Sequence, residues 1–186
     1  MRRIIDILIA SALLVLMIFP MILVYIVIRI DSPGSGLFWS ERVGINNINF
    51  MMPKFRTMHT GTVSVATHLL DNPTNYLTRV GNLLRKASID ELPQLYSILR
   101  GQMTFVGPRP ALFNQNDLIK LRTKNNVHTL LPGVTGWAQI NGRDTISIEE
   151  KVIFDVEYLK RKSILFDLYI ILLTLLKVLK KEDVSH

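Results

Sequence analysis

RRIIDILIASALLVLMIFPMILVYIVIR, residues 2–29, decides what kind of fold this chain can adopt. Between Ile4 and Ile28 the run is apolar except for Asp6, Ser11, Pro20 and Tyr25. As a helix it is long enough to span a bilayer. It is too long for the apolar region of a signal peptide, and no small-residue cleavage site follows it. Pro20 lies well inside the run, where it removes the backbone bond to Leu16 and kinks the helix. Positive charge flanks both ends, Arg2 and Arg3 before and Arg29 after, so the positive-inside rule assigns no orientation. Two topologies satisfy these facts. One is a kinked span. The other enters, bends at Phe19-Pro20 and returns, keeping all three arginines on the cytoplasmic face. Broken backbone at that depth must be covered by protein or re-bonded locally.

The other end of the chain repeats the theme in shorter form. Ile164 to Leu176 is nearly all apolar but too short to span. Asp167, Thr174, Lys177 and Lys181 fall on one narrow helical stripe, and Lys177, Lys180 and Lys181 cluster at its end. That pattern suits a helix lying in the interface on anionic lipid; a buried core helix is the alternative. With 186 residues, the chain is one domain, or one domain plus a membrane segment. Mean hydropathy of +0.27 is high for a soluble enzyme, and the excess is concentrated at the two ends. The formal charge of +7 suits an anionic membrane face or a polyanionic substrate. The basic residues are spread among loops, with no basic helix or aromatic ladder, which argues against nucleic acid. Cysteine is absent, which excludes disulfides and Cys-based metal sites. His59, His68, His128 and His186 are scattered and form no spaced ligand pair.

Inward from the apolar run, Asp31-Ser32-Pro33-Gly34-Ser35-Gly36 is a turn-rich linker. Leu37-Phe38-Trp39 could rest at the interface. Arg42-Val43-Gly44, Asn46-Asn47 and Phe50-Met51-Met52 predict a strand, a turn and a strand. On the second strand Lys54 and Arg56 share one face, with Phe55 opposite. Two cations there suit a phosphate, or are an ordinary solvated face. His59 to Asn75 reads as a loop, and Leu77 to Lys86 as a short amphipathic helix carrying Arg79 and Arg85.

The chemistry centres on Ser88-Ile89-Asp90-Glu91-Leu92-Pro93-Gln94-Leu95. Ser88 with Glu91 reads as a capping box, which puts Asp90 and Glu91 in the first turn of a helix. Backbone N–H groups there favour ionised carboxylates and attract phosphate. Acidic first turns are also common without any further role. Gly101 closes this helix. Met103-Thr104-Phe105-Val106 is a short buried strand ending in Gly107-Pro108-Arg109-Pro110. The two prolines make a rigid mount for one guanidinium, which binds phosphate bidentately. Ala111 to Thr123 is a helix. Leu131 to Arg143 is glycine-rich; its glycines let backbone approach a ligand, or form plain turns, while Trp137 offers a stacking face and Gln139, Asn141 and Arg143 offer polar groups. Ser147 with Glu150 opens a helix from Ile148 to about Arg161.

Four ordered motifs now resemble the small monotopic phosphoglycosyl transferases, the bacterial sugar transferase family. They are Lys54-Phe55-Arg56-Thr57-Met58, Ser88 to Leu95, Val106-Gly107-Pro108-Arg109-Pro110, and Pro132-Gly133-Val134-Thr135-Gly136-Trp137-Ala138-Gln139. The resemblance runs from Arg2 to about Lys180 and is to the minimal catalytic form. It implies an α+β, predominantly helical monotopic membrane protein. Residues 1–30 would form a re-entrant membrane helix broken at Pro20. Residues 31–162 would form one catalytic domain with a small β-hairpin. Residues 163–186 would form an interfacial amphipathic helix and tail. The implied location is the cytoplasmic face of the inner membrane.

The resemblance also implies a reaction. Sugar-1-phosphate passes from a UDP-sugar to polyprenyl (undecaprenyl) phosphate, UMP leaves, and a polyprenyl-diphospho-sugar forms as the first membrane step of a capsule, O-antigen or glycoprotein glycan. Asp90 would be the nucleophile, giving a covalent phosphosugar intermediate, and Glu91 with Asp90 would hold Mg²⁺. A carboxylate can accept a phosphoryl group, and adjacent carboxylates with phosphates suit Mg²⁺. Lys54, Arg56, Arg85 and Arg109 would neutralise diphosphate charge. Trp137, Gln139, Asn141 and Arg143 would contact nucleotide or sugar. Val65-Ala66-Thr67, Asn125 to Thr129 and Gly142-Arg143-Asp144 look most like members acting on N-acetylated, 6-deoxy amino sugars. Downstream glycosyltransferases and a homodimer partner are candidate protein partners. The chain departs from the family at Phe19, Gln102 and Ser40, none of them in the dyad. A catalytically silent scaffold binding polyprenyl phosphate is the alternative class; an intact Asp90-Glu91 argues against it.

Overall fold

The structure, a computed structural model, describes residues 2–62, 72–142 and 146–180. One long helix, α1 (Arg2–Asp31), leads into an antiparallel hairpin, β1 (Leu37–Val43) and β2 (Asn49–Phe55). The hairpin pairs Leu37 with Phe55 at its open end and Val43 with Asn49 at its turn. Asn46 and Asn47 turn the chain with φ of 53° and 60°, a region asparagine tolerates better than most residues. Helices α2 (Arg79–Lys86) and α3 (Gln94–Leu99) follow, then β3 (Thr104–Val106), α4 (Asn116–Lys124), β4 (Gly133–Thr135) and the short α5 (Trp137–Ile140). The chain ends in α6 (Ile148–Arg161) and α7 (Ile164–Lys180). β3 and β4 pair in parallel, with Thr104 opposite Gly133 and Val106 opposite Thr135. Parallel pairing requires a crossover, and α4 supplies it. The fold is mostly helical with small sheets, and α1 is long and apolar enough to cross a membrane by length and composition.

α1 is helical without interruption through Pro20. One stripe of it packs on the rest of the chain along nearly its whole length. Arg3 donates to the carbonyls of Ile98 and, at 2.9 Å, Leu99. Asp6 accepts from the Thr104 hydroxyl at 2.8 Å. Ala10, Leu13 and Leu14 pack with Phe50, Met52, Leu95 and Ile98. Met21, Val24, Tyr25 and Ile28 pack with Phe55 and Leu84. At the far end, Asp31 caps α2 by accepting from the Val80 N–H at 3.2 Å. The opposite face bears Leu8, Val15, Leu16, Phe19 and Leu23, all exposed.

Two residues of the polar stripe of α7, Asp167 and Thr174, face the protein. Asp167 pairs with Arg2 at 2.9 Å, and the Tyr158 hydroxyl shares its proton between Asp167 Oδ1 and the Val106 carbonyl. Thr174 lies 2.7 Å from the Thr135 hydroxyl. Phe166 and Ile170 are buried on the same side, while Leu165, Leu168, Leu172, Leu175 and Leu176 are exposed. A helix polar within and apolar without suits a lipid-facing surface.

Three expectations from sequence are corrected. Ser88 is not an N-cap: its φ is 54°, its side chain makes no cap bond, and its N–H donates to the Arg85 carbonyl. It is the left-handed residue that ends α2. Asp90 and Glu91 therefore sit on a single 3₁₀ turn, Ile89–Glu91, and α3 starts only after Pro93. Second, α4 begins at Asn116 rather than Ala111. Ala111 and Leu112 are drawn out to the hairpin, where the Val43 N–H donates to the Ala111 carbonyl and Arg42 bridges Leu112. Third, the glycine-rich stretch is packed against protein. A Cβ on Gly133 would stand 2.1 Å from the Gly107 nitrogen, and one on Gly136 would stand 2.1 Å from the Gly107 carbonyl oxygen. These glycines let β4 press onto the loop that carries Arg109.

Candidate active site

The dyad turn lies against the end of the hairpin and the Arg109 loop. β2 delivers Lys54, whose register partner is Phe38. The Lys54 Nζ stands 2.8 Å from Glu91 Oε1. Arg109 Nη2 stands 2.9 Å from the same oxygen. Arg85 approaches from α2, its Nε donating to the Thr57 hydroxyl at 2.9 Å. Asp90 is buried beside them, and no hydrogen bond to its carboxylate occurs among the described residues. Three cations, Lys54, Arg85 and Arg109, thus surround two carboxylates.

The electrostatics separate the two acids. Burial pushes the Asp90 pKa up, ahead of the downward pull of Lys54, and the Glu91 charge adds to the rise. Burial acts on Glu91 in the same direction. There Arg109 and Lys54, each bonded to it, outweigh burial and hold the carboxyl well below the usual glutamate range. Lys54 is pushed down by burial, with Glu91 opposing. Two neighbouring carboxylates with opposite shifts are a recurring mark of divided chemical roles.

Arg109 is held as a mount should be held. The Arg122 guanidinium donates to the Arg109 carbonyl at 2.8 Å, and Arg42 donates to the Pro110 carbonyl at 3.1 Å. Gly107 N–H donates to Thr135 O, and Gly133 N–H to Pro108 O, both at 2.9 Å. Arg122 is fixed in turn by Asp155, which accepts from its Nε at 2.9 Å and lies 2.7 Å from its Nη2. Asp155 is 1% exposed. This support escaped the sequence reading. The available signal was a charge on each apolar helical stripe: Asp155 among Val152, Val156 and Leu159, and Arg122 beside Leu118 and Leu121.

The other predicted residues distribute differently. Arg56 lies just beyond β2, buried, with its guanidinium donating to Pro33 O, Ser32 O and the Ser32 hydroxyl. It fastens the linker below α1. The Trp137 Nε1 donates to Glu157 at 2.7 Å, and its ring packs on Phe166 and Tyr169. Asn141 donates to the Trp137 carbonyl. Gln139 donates to Val134 O at 2.9 Å, its buried Oε1 has no hydrogen-bond partner among the described residues, and it lines a cavity. Arg143 lies outside the described residues, as do Val65-Ala66-Thr67 and Asp144.

That cavity, of about 320 Å³, adjoins the dyad turn. Glu91 and Arg109 line it beside the dyad. Leu13 and Met17 come from α1, and Thr174, Lys177 and Val178 from α7. It is mostly apolar, with Glu91, Arg109 and Lys177 as its charged lining. Such a space fits an amphiphile with an anionic head.

The family model described as bacterial sugar transferase matches residues 1–181. The chain is 44% identical over 156 residues to a protein of Bacillus subtilis (strain 168) named uncharacterized sugar transferase EpsL, a match covering 82% of this chain and 75% of that one. It is 36% identical over 185 residues to the UDP-glucose:undecaprenyl-phosphate glucose-1-phosphate transferase of Escherichia coli (strain K12), covering 95% of this chain but 40% of that one. A protein of the same name from Caulobacter vibrioides is 34% identical over 190 residues, covering 98% and 71%.

Proposed function

The chain belongs to the bacterial sugar transferase family, and from that premise we propose that it transfers sugar-1-phosphate from a UDP-sugar to undecaprenyl phosphate, releasing UMP. The observation that carries this reading is the dyad: a buried Asp90 with no hydrogen bond among the described residues, beside a Glu91 that gathers Lys54 and Arg109. In the first step an Asp90 oxygen attacks the sugar-bearing phosphorus. A bond forms between that oxygen and phosphorus, the bond from phosphorus to the UMP oxygen breaks, and UMP leaves with the electron pair. In the second, an oxygen of the lipid phosphate attacks the same phosphorus and Asp90 is restored as a carboxylate. Lys54, Arg85 and Arg109 offset the phosphate charge throughout, as fixed cations that need no reorganisation. The cavity between α1 and α7 supports a place for the lipid acceptor, with its phosphate toward Arg109.

Magnesium fits these residues in a limited way. Asp90 and Glu91 are the carboxylates present, and no group of three acidic or histidine side chains occurs among the described residues. Glu91 Oε1 is engaged by two cations, while neither Glu91 Oε2 nor the Asp90 carboxylate has a hydrogen bond among the described residues. One or two carboxylates plus substrate phosphates is the usual holding for Mg²⁺. Bound there, Mg²⁺ would neutralise diphosphate charge. The test is UMP release from a donor panel with Mg²⁺ and undecaprenyl phosphate in detergent. The panel includes UDP-glucose, the sugar in the relatives' names, and UDP-linked N-acetylated 6-deoxy amino sugars, which the sequence favours. No UMP from any UDP-sugar would reject the reading.

The re-entrant topology belongs to the same proposal. Supporting it, both ends of α1 are fastened to one domain: Arg3 and Asp6 at the start, Asp31, Ser32 and Pro33 at the end. The domain also carries the dyad, which needs cytoplasmic nucleotide sugar. Without native cysteines, single cysteines can report the topology cleanly. One is placed immediately ahead of Arg2 and another replaces the exposed Ser35. Both are expected to resist an impermeant thiol reagent in intact cells and to react after permeabilisation. Labelling of the first from outside, with the second protected, would establish a span.

A further inference from the structure

Glu91 Oε1 accepts from both the Lys54 ammonium and the Arg109 guanidinium, at 2.8 and 2.9 Å. One anionic oxygen drawing in an ammonium and a guanidinium is what a phosphate oxygen does in a phosphate site. We infer that Glu91 is a built-in stand-in for substrate phosphate: in the empty site it holds Lys54 and Arg109 where a nucleoside diphosphate needs them, and it yields them when the diphosphate arrives. The inference rests on the proposed transferase reading and deepens it.

The mounts of the three groups support this division. Lys54 stands on a strand paired along its length. Arg109 stands on a loop tied by Arg122, Arg42 and two backbone bonds to the β4 segment. Glu91 stands on a single 3₁₀ turn between Ser88, at φ 54°, and Pro93. Its Oε2 makes no hydrogen bond among the described residues. The cations are rigidly placed and the acid is the partner able to turn away. Without Glu91 two partly buried cations would lose a charge partner, so an internal carboxylate stabilises the empty site. The arrangement makes Glu91 and diphosphate competitors for the same two cations. It also frees Glu91 Oε1, the oxygen held by both cations, for a divalent cation only once diphosphate has bound. Nucleotide and Mg²⁺ should therefore bind cooperatively, each strengthening the other by the same factor.

The test uses the full chain in detergent, with UDP as the probe, by isothermal titration calorimetry. In EDTA, Glu91→Gln should bind UDP about tenfold more tightly than wild type, the gain expected when one competing charge-assisted contact is removed. A residue that served only as a metal ligand or a structural support would give unchanged or weaker binding in EDTA. Adding Lys54→Met to Glu91→Gln should abolish the gain. Equal or weaker UDP binding by folded Glu91→Gln overturns the inference. A second measurement needs no variant: wild type should bind Mg²⁺ measurably only when UDP is present, and UDP more tightly when Mg²⁺ is present. Independent binding of the two overturns it as well. UDP binding by neither form, even with Mg²⁺, overturns the transferase reading and this inference with it.

Discussion

Asp90→Asn is expected to reduce transfer by at least about a thousandfold, because an amide cannot supply the nucleophilic oxygen of a covalent step. The fold should survive, and for a specific reason. Asp90 is buried with no hydrogen bond among the described residues, and burial pushes its pKa up. A carboxyl raised on folding contributes most stability below its unfolded pKa, where it is protonated in both states, and loses it as pH rises through the folded value. At neutral pH, above the usual carboxyl range, the raised Asp90 is thus a cost to the folded state, and a neutral amide of the same shape removes it. The thermal midpoint of Asp90→Asn should equal or exceed that of wild type at pH 7. Turnover close to the wild-type rate would show that Asp90 is not the nucleophile. A large fall in the midpoint would show that its charge is a structural support.

Asp155→Ala should produce the largest loss of stability of any single change around the site. Asp155 is 1% exposed and pairs through Oδ2 with Arg122. Removing it strands a buried guanidinium, which typically costs about 3–5 kcal/mol. Burial itself raises the Asp155 pKa, with Arg122 opposing. The pair as a unit is therefore worth less than its rupture costs. The double change Arg122→Met with Asp155→Leu should recover much of the midpoint that Asp155→Ala loses. It should not recover activity in full, since Arg122 also holds the Arg109 carbonyl. Denaturation in detergent measures the first effect and UMP release the second. A loss below about 1 kcal/mol for Asp155→Ala would fit a solvent-screened pair instead and reject this account of the support.

Local pattern explains what was legible. The hairpin, the Ser147–Glu150 capping box of α6 and the Gly101 stop each depend on a few adjacent residues, and the structure reproduces them. The meeting of Lys54, Asp90, Glu91, Arg85 and Arg109 was expected from their motifs, and geometry brings these side chains together. What failed was where a local pattern admitted a second reading or where a residue answered to something far away. Ser88 looked like the start of one helix but closes the helix before it. Arg56 looked like a phosphate ligand on a strand but reaches back to the linker at Ser32 and Pro33. The glycines at 133 and 136 read as part of a ligand loop or as plain turns, but they let their backbone touch that of Gly107. The partners of Asp167 and Thr174 on α7, namely Arg2, Tyr158 and Thr135, were hidden because they are distant in sequence. The support beneath Arg109 was hidden for the same reason, since Arg122 and Asp155 come from two different helices.

The covalent role of Asp90 is tested most directly by incubating the protein with a turned-over UDP-sugar and Mg²⁺ in the absence of lipid acceptor, then measuring intact mass, peptide mass and released UMP. The account predicts protein carrying one sugar phosphate, located on the peptide that contains Asp90. UMP should be released in equal amount, and no label should form in Asp90→Asn. Adding undecaprenyl phosphate should discharge the label into lipid. Steady turnover with unlabelled protein, and UMP released only once acceptor is present, would contradict it and indicate direct transfer between two bound substrates.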